Sequence, residues 1–517
     1  MYLTQSLHKA LQQCPERTAT VCDGRRHSYA EWVPRVARVA GALQGLGVAP
    51  GDRVGILALG SDRYLETIYG CWWRGAVINP VNIRWSPREI AYSLDDCGTR
   101  VLLVDRNFVH MVPRLGELSE ALEEVIYLDD DAPADLTGYE SWIADAPELD
   151  DQIASHQQLA AILYTGGTTG APKGVMLSHR NLYSGTLGQM AAVQRSHHPV
   201  ALYSSPLFHV AGMASVVQIA VRQGTHVILP GFDPAVVLDT IEREGVEETF
   251  LVPTMLRMLL DHPDFSRHDL SALKYLRYGA SPMDEALLLR AMEVLPGAEF
   301  SQSYGMTELS PVISILSGWH HTAEGRRAGK LKSAGYPLPN AEVRIVDEND
   351  NDVPTGQVGE IIARGPMVME GYWNKPEQTA EALRNGWMHT GDGGYMDKDG
   401  FIYVVDRIKD MIVTGGENVY SAEVENALLK MPEVAQCAVI GVPDERWGER
   451  VHAVVVTAPG QQLDEQRIDA HCRDLIAGYK CPKSIEFRDA LPMSGAGKIL
   501  KYELRKPFWE GRQRRVS

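Results

Sequence analysis

The chain is 517 residues long, which at about 100–200 residues per domain allows two to four units. Hydrophobic residues make up 44% and charged residues 23%, values that exclude a disordered or collagen-like chain. Fifty Lys and Arg against 67 Asp and Glu give a net charge of −17, which argues against broad nucleic-acid binding and adhesion to anionic lipid but leaves room for a local basic pocket for phosphates.

In chain order, Leu3, Leu7 and Leu11 stand at helical spacing, and no basic-then-apolar run ending in small residues precedes them. The N-terminus therefore does not read as a signal peptide. Val33, Val36, Val39, Ala40 and Leu43 repeat with the period of a helix, Gly47 and Pro50-Gly51 close it, and the apolar run 53–60 follows as a buried strand. The same alternation recurs at 100–105, 226–231 and 248–253, which implies a parallel, doubly wound sheet covered on both faces. Residues 196–221 lack formal charge for long enough to cross a bilayer, but His197, His198, Pro206, His209 and Gln218 interrupt them, so they are read as a strand, a loop and a helix. Between 340 and 405 the runs shorten and are separated by Asp, Asn and Gly, the pattern of antiparallel hairpins. Beyond Asp406 an α+β unit is expected. It has strands at 411–413, 437–443, 451–458 and 485–487, a helix capped by Ser421 and a second helix near 464–477. The seven cysteines are scattered and never spaced as C-x-x-C. They form neither a disulfide framework nor a zinc site, and a reducing compartment is expected.

The strongest chemical signal is the segment from Ala161 to Gly174, an apolar strand running into Thr165, Gly166, Gly167, Thr168, Thr169 and Gly170 and then Lys173. Closely spaced N–H groups and hydroxyls can surround phosphate oxygens there while the lysine adds charge. Pro172 and Gly174 flank the lysine where a Walker A loop requires Gly and Ser or Thr, so this is a different phosphate loop. It resembles the phosphate-binding loop of the adenylate-forming superfamily of acyl-CoA synthetases, with Gly166 where that family usually has serine. Further motifs follow in the family's order. The turn from Tyr278 to Met283 resembles the floor between adenine and acyl pocket and carries Gly279, Ala280 and Ser281. The run Gln302, Ser303, Tyr304, Gly305, Met306, Thr307, Glu308 resembles the motif after it. Tyr304 offers a ring to stack on a purine, and Thr307 and Glu308 offer oxygens to phosphate-bound Mg²⁺, a hard cation.

The resemblance implies further roles. Asp392 holds the ribose with help from Arg407, Lys409 is the hinge, and Lys498, on a loop of two glycines and a serine, is the catalytic lysine. Gly415, Gly416, Glu417 and Trp447 would line the path of the CoA thiol, and Thr168 and Glu308 would bind the metal. The fold class implied is α/β: a large N-terminal domain of doubly wound sheets plus a β-barrel-like subdomain, with a small mobile α+β C-terminal domain. The expected boundaries are 1–405, a hinge at 406–410, and 411–517.

The reaction implied is attack of a carboxylate on the α-phosphate of ATP to give an acyl-adenylate, followed by displacement of AMP by a thiol. Catalysis is assigned to Lys498, Thr307, Glu308 and His209. The acyl pocket is assigned to His209, Val210, Met213, Gly279, Met306, Leu309 and Val312. The segment 205–213 resembles the family region with a histidine near the substrate carboxylate, and it lacks the aspartate of amino-acid-activating relatives, so the resemblance implies an uncharged acid, with a medium- or long-chain fatty acid as first reading and an aryl acid as alternative. The implied cofactors are ATP, Mg²⁺ and coenzyme A. A carrier protein as acceptor and a catalytically silent nucleotide-binding protein are also kept open. The expected location is cytoplasmic, with no integral membrane span, no nucleic-acid partner, and a homodimer left open. The adjacent Ser178 and His179 cannot face each other on a helix and are read as a cap rather than a catalytic pair.

Overall fold

Apolar runs of strand length alternate with helices because each strand must be covered on both faces. A computed structural model describes residues 1–165, 172–281, 283–414, 417–494 and 499–510, and of Arg407, Lys409 and Asn418 the backbone alone. The chain divides into two compact units: residues 1–283, 287–343 and 363–388 form the first, and 284–286, 344–362 and 389–517 the second.

The first unit holds two large sheets. In one, the strands Glu299–Tyr304, Tyr275–Gly279, Glu248–Leu251, Val200–Tyr203, Thr225–Ile228 and Thr18–Cys22 run parallel in that spatial order, with antiparallel strands at both edges. In the other, Leu159–Thr165, Val77–Pro80, Arg53–Leu57, Thr99–Val104 and Glu124–Tyr127 are parallel, and Lys173–Ser178 and then Gly371–Tyr372 extend it antiparallel. The apolar runs expected to be buried strands are therefore central strands. Residues 196–221 form the strand Val200–Tyr203 and the helix Val210–Val221, and no helix among the described residues is long and apolar enough to cross a membrane. Ser178 caps its helix, accepting from Asn181 N–H, while His179 is buried and its ring accepts from Leu3 N–H at 3.2 Å; burial pushes that imidazole down to about 4.

The shorter runs between 340 and 407 pair as a row of four strands, Glu342–Val346, Gly359–Arg364, Met388–Met396 and Ile402–Arg407. The C-terminal half of the second unit is built on the long hairpin Val434–Asp444 and Gly448–Thr457. Its alternation buries both faces. Cys437, Val439, Val451, Ala453 and Val455 pack with residues of the helices Ser421–Leu428 and Glu465–Leu475, and Ala438, Ile440, Val442 and Val454 pack with Leu491 and Leu504.

Ser421 does not cap its helix. It is the first helical residue, and the cap position falls to Tyr420, whose side chain makes no capping bond. The carboxylate of Asp406 takes over the role, accepting from Ser421 N–H at 2.5 Å, Ser421 Oγ–H at 2.6 Å and Ala422 N–H at 3.4 Å. Lys501 donates to Ser421 Oγ at 2.5 Å and pairs with Glu425 at 2.8 Å. Burial pulls Lys501 down, but Glu425 and Asp406 outweigh it and hold the ammonium above its usual value. Replacing Asp406 by Ala strips the helix start of its acceptor and is expected to cost the second unit about 2 kcal/mol, as for hydrogen bonds to a charged group. Urea unfolding followed by amide exchange in residues 434–457 measures it, and unchanged protection there would contradict this account.

Candidate active site

Of the phosphate loop, Gly166, Gly167, Thr168, Thr169 and Gly170 lie outside the described residues, as do Gly415, Gly416 and Lys498. The stem of the loop is described. Thr165 pairs with Lys173 in antiparallel register, so the chain enters and leaves the loop side by side. The Lys173 ammonium lies 4.8 Å from the centre of the Tyr372 ring, a cation–π contact worth about 0.5–2 kcal/mol. The Tyr372 hydroxyl in turn donates to Glu308 Oε1 at 2.9 Å. Tyr372 is 7% exposed and Glu308 6%, so this hydrogen bond to a carboxylate is sheltered from water. The loop lysine and the expected metal carboxylate are thus brought together by a tyrosine that carries no sequence signal of its own.

Glu308 owes its place to two glycines. A Cβ on Gly279 would stand 2.3 Å from the Ser303 carbonyl oxygen, and one on Gly305 would stand 2.0 Å from that of Pro311. The strands Tyr275–Gly279 and Glu299–Tyr304 therefore pass close at their ends, and the chain turns sharply into the short 3₁₀ helix Thr307–Leu309. Met369 N–H fastens that turn by donating to the Glu308 carbonyl at 2.9 Å. Ala280 takes a left-handed φ of 66° just before Ser281. Tyr304 and Gln302 are half-buried, and Ser303 is 8% exposed with an Oγ that has no hydrogen-bond partner among the described residues.

A cavity with about 720 Å³ of atom-free space, its mouth included, lies in the first unit between the nine-stranded sheet and the helix Val210–Val221. The enclosed part that a water-sized group can occupy is only about 50 Å³, well below the ~300–1,000 Å³ usual for small-molecule sites. The residues expected to form the acyl pocket fall elsewhere. Ala211, Ser215 and Gln218, spaced at helical period, line the cavity, whereas Val210 and Met213 are 7% and 0% exposed outside its lining. Leu309 and Val312 are buried in packed core and Met306 is half-buried; neither they nor Gly279 and His209 belong to the lining. His209 occupies the N-cap position of the helix, 4.2 Å from the Phe208 ring. On the sheet side Tyr275, Arg277 and Phe250 form the wall, while Leu276 and Tyr278 point the other way into the core with Phe300.

In the second unit Asp392 is 5% exposed and stands opposite Arg407 in antiparallel register, which brings the two expected ribose-binding positions together. Its backbone is held by Thr390 Oγ1, which accepts from Asp392 N–H at 3.0 Å and donates to the Ile361 carbonyl at 2.7 Å. Lys409 lies in the 3₁₀ turn Ile408–Asp410, anchored by the ion pair of Asp410 with Arg505. Thr414 pairs with both Glu417 and Gly448, so Glu417 and the 48% exposed Trp447, next to Gly448, lie on either side of it at one end of the sheet.

No group of three or more His, Cys, Asp or Glu suited to a metal occurs among the described residues. A Mg²⁺ that arrives on nucleotide phosphates needs one or two carboxylates and little else from the protein. Glu308 fits that need, one oxygen held by Tyr372 and the other without a hydrogen-bond partner among the described residues.

Two doubly wound sheets, an anion loop whose stem meets a buried carboxylate, and a separate α+β unit define an adenylate-forming enzyme. Residues 7–373 match the model of the AMP-binding enzyme family and residues 423–498 that of the AMP-binding enzyme C-terminal domain. The chain is 42% identical to a feruloyl-CoA synthase of Amycolatopsis sp over 96% of both chains. It is 37% identical to a medium/long-chain-fatty-acid–CoA ligase of Mycobacterium tuberculosis over 93% of this chain and 86% of the relative. Among solved structures, an anthranilate CoA ligase in complex with anthranoyl-AMP superposes with a TM-score of 0.90 at 27% identity, covering 98% of this chain and 97% of that one. An o-succinylbenzoate CoA synthetase from Bacillus subtilis with ATP and magnesium superposes with a TM-score of 0.85 at 29% identity, covering 96% and 98%. The chain belongs to the AMP-binding enzyme family, and it is an acid–thiol ligase that uses ATP, Mg²⁺ and coenzyme A.

Tyr372→Phe removes the hydroxyl while keeping the ring beneath Lys173. Adenylate formation should fall about 10-fold, roughly the value of one hydrogen bond to a charged group, with the melting temperature nearly unchanged. Pyrophosphate release at several Mg²⁺ concentrations checks this, and a wild-type rate would remove Tyr372 from the site.

Proposed function

We propose that this ligase activates an aryl carboxylic acid as its acyl-adenylate and transfers the acyl group to CoA. The observation that carries the adenylation half is the convergence of Lys173, Tyr372 and Glu308 at the stem of the phosphate loop. In the first step a carboxylate oxygen attacks the α-phosphorus of ATP and pyrophosphate leaves. In the second a thiolate attacks the acyl carbon and AMP leaves. Lys173 and Lys498 offset charge on the transferring phosphoryl group, and the backbone of the loop holds the phosphate oxygens. Glu308 and Thr168 hold the Mg²⁺, which supplies further charge neutralisation on the phosphates. Asp392 and Arg407 hold the ribose. Lys409 serves as hinge for exchange of Lys498 against the thiol-binding residues Gly415, Gly416, Glu417 and Trp447.

The aryl reading, held above as the alternative to a fatty acid, rests on the cavity wall. Phe250, Tyr203 and Tyr275 supply rings, while Gln189, Gln218, Ser215 and Arg277, hydrogen-bonded to one another, give the lining a charge and polarity that a plain alkyl chain does not call for. Pyrophosphate release across medium- and long-chain fatty acids, benzoates and cinnamates, with and without CoA, tests the assignment. Aryl acids should lead, thioester should appear only with CoA, and a carrier protein should not replace it. A preference for long-chain acids would reverse the aryl assignment. Lys498→Ala should lower adenylate formation at least about 100-fold, and undiminished formation would overturn the mechanism.

A further inference from the structure

The cavity of the first unit contains two guanidinium groups where a site for a plain hydrocarbon chain would have none. Arg277 projects from the centre of the strand Tyr275–Gly279, on the same face as Gly279. Its hydrogen bonds all go to neutral oxygens: Gln189 Oε1 at 3.0 Å, Gln218 Oε1 at 3.3 Å and Ser215 Oγ at 2.7 Å. Phe250 lies beneath it with its ring centre 5.4 Å away. Arg195 donates to Ser301 Oγ at 2.9 Å and stacks 4.3 Å from the centre of the Tyr275 ring. The carboxylate on this wall, Glu248, is engaged by Arg222 through bonds of 2.8 to 3.0 Å. Arg277 therefore has no ion pair among the described residues.

A sheltered cation held only by amides and a hydroxyl is costly, because dipoles replace lost hydration incompletely and no opposite charge makes up the difference. Burial, followed by the nearby charge of Arg195, pushes the Arg277 pKa down to about 10, which leaves it protonated at neutral pH. The geometry holds the guanidinium ready all the same: three acceptors and a ring fix its plane. A second sign of an incomplete polar site lies elsewhere in the cavity lining. Ser204, 1% exposed, lines the wall with an Oγ that has no partner among the described residues.

Resting on the aryl-acid reading above, we propose that Arg277 is a specificity residue that receives an acceptor oxygen at the far end of the acid, either a second carboxylate or a phenolic oxygen. The missing partner of the guanidinium is then the substrate itself. Such a site discriminates strongly, since an acid lacking the oxygen leaves the arginine buried without a counter-group.

The test compares kcat/KM for pyrophosphate release with three sets of aryl acids: parents without a further oxygen, their para-hydroxy derivatives, and their para-carboxy derivatives. Wild-type protein should favour at least one oxygenated set over the parents by about 100-fold or more, and the set that leads identifies which oxygen is read. Arg277→Met should bring that ratio to within about threefold, chiefly by raising KM for the oxygenated acid. Arg277→Lys should retain part of the preference for the carboxylate arm, where charge alone suffices, and lose it for the phenolic arm. Two results overturn the proposal and leave the ligase reading standing: a wild-type enzyme that favours the parent acids, or an Arg277→Met protein with wild-type melting and AMP binding that keeps the full ratio. Absence of pyrophosphate release with every acid would instead overturn the ligase reading. The wild-type ratio decides the matter even if Arg277→Met does not fold.

Discussion

The hydrogen bond from Tyr372 to Glu308 holds the catalytic end of the first unit together. Tyr372 sits on an edge strand of the eight-stranded sheet, paired with Val175 just past the phosphate loop. Glu308 lies in the turn after a strand of the nine-stranded sheet. This contact of 2.9 Å, with the Met369 N–H bond to the Glu308 carbonyl beside it, ties the two sheets at their catalytic ends. Because both residues are buried, the contact is protected from competing water, and the charge on the carboxylate strengthens it. The register of the loop stem and the close approach of strands at Gly279 and Ser303 bring their chemistry to this point.

Charge is distributed with similar economy. The molecule is strongly acidic, yet its interior holds several arginines. Arg35 is shared between Glu66 and Glu140, Arg63 pairs with Asp130 and Glu140, and Arg222 with Glu248. Each of these buried cations has its carboxylate, as the cost of burying charge requires. Arg277 and Arg195, whose hydrogen bonds go to neutral oxygens, depart from that pattern.

Much of this architecture was legible because it is local. The apolar runs at 53–60, 100–105, 226–231 and 248–253 form sheet strands, and the strands expected at 437–443 and 451–458 pair as the long hairpin of the C-terminal unit. The phosphate loop declared itself through glycines, threonines and a lysine in one short segment. The features that escaped depend on contacts distant in sequence. Arg277 within Tyr-Leu-Arg-Tyr-Gly reads as a solvent-facing position on a half-buried strand, and its glutamine partners lie 88 and 59 residues away. Tyr372 meets a glutamate 64 residues before it. Ala211 and Ser215, not the sequence neighbours Val210 and Met213, line the cavity, because helical phase turns them to that face. Ser421 looked like a cap because serine favours that position, whereas a carboxylate 15 residues earlier was better placed.

The strand Tyr275–Gly279 has one more consequence. Alternate residues on one face of a strand are about 6.6 Å apart, so Gly279, Arg277 and Tyr275 mark equal steps from the adenylate-forming end into the cavity. The backbone thus acts as a graduated scale, its first mark a bare glycine, its second a cation and its third an aromatic ring. One step is close to the span of a benzene ring with a substituent at each end. On the proposed assignment, exchange of a single side chain at the second mark resets the length and polarity of the acid admitted without disturbing the phosphate loop.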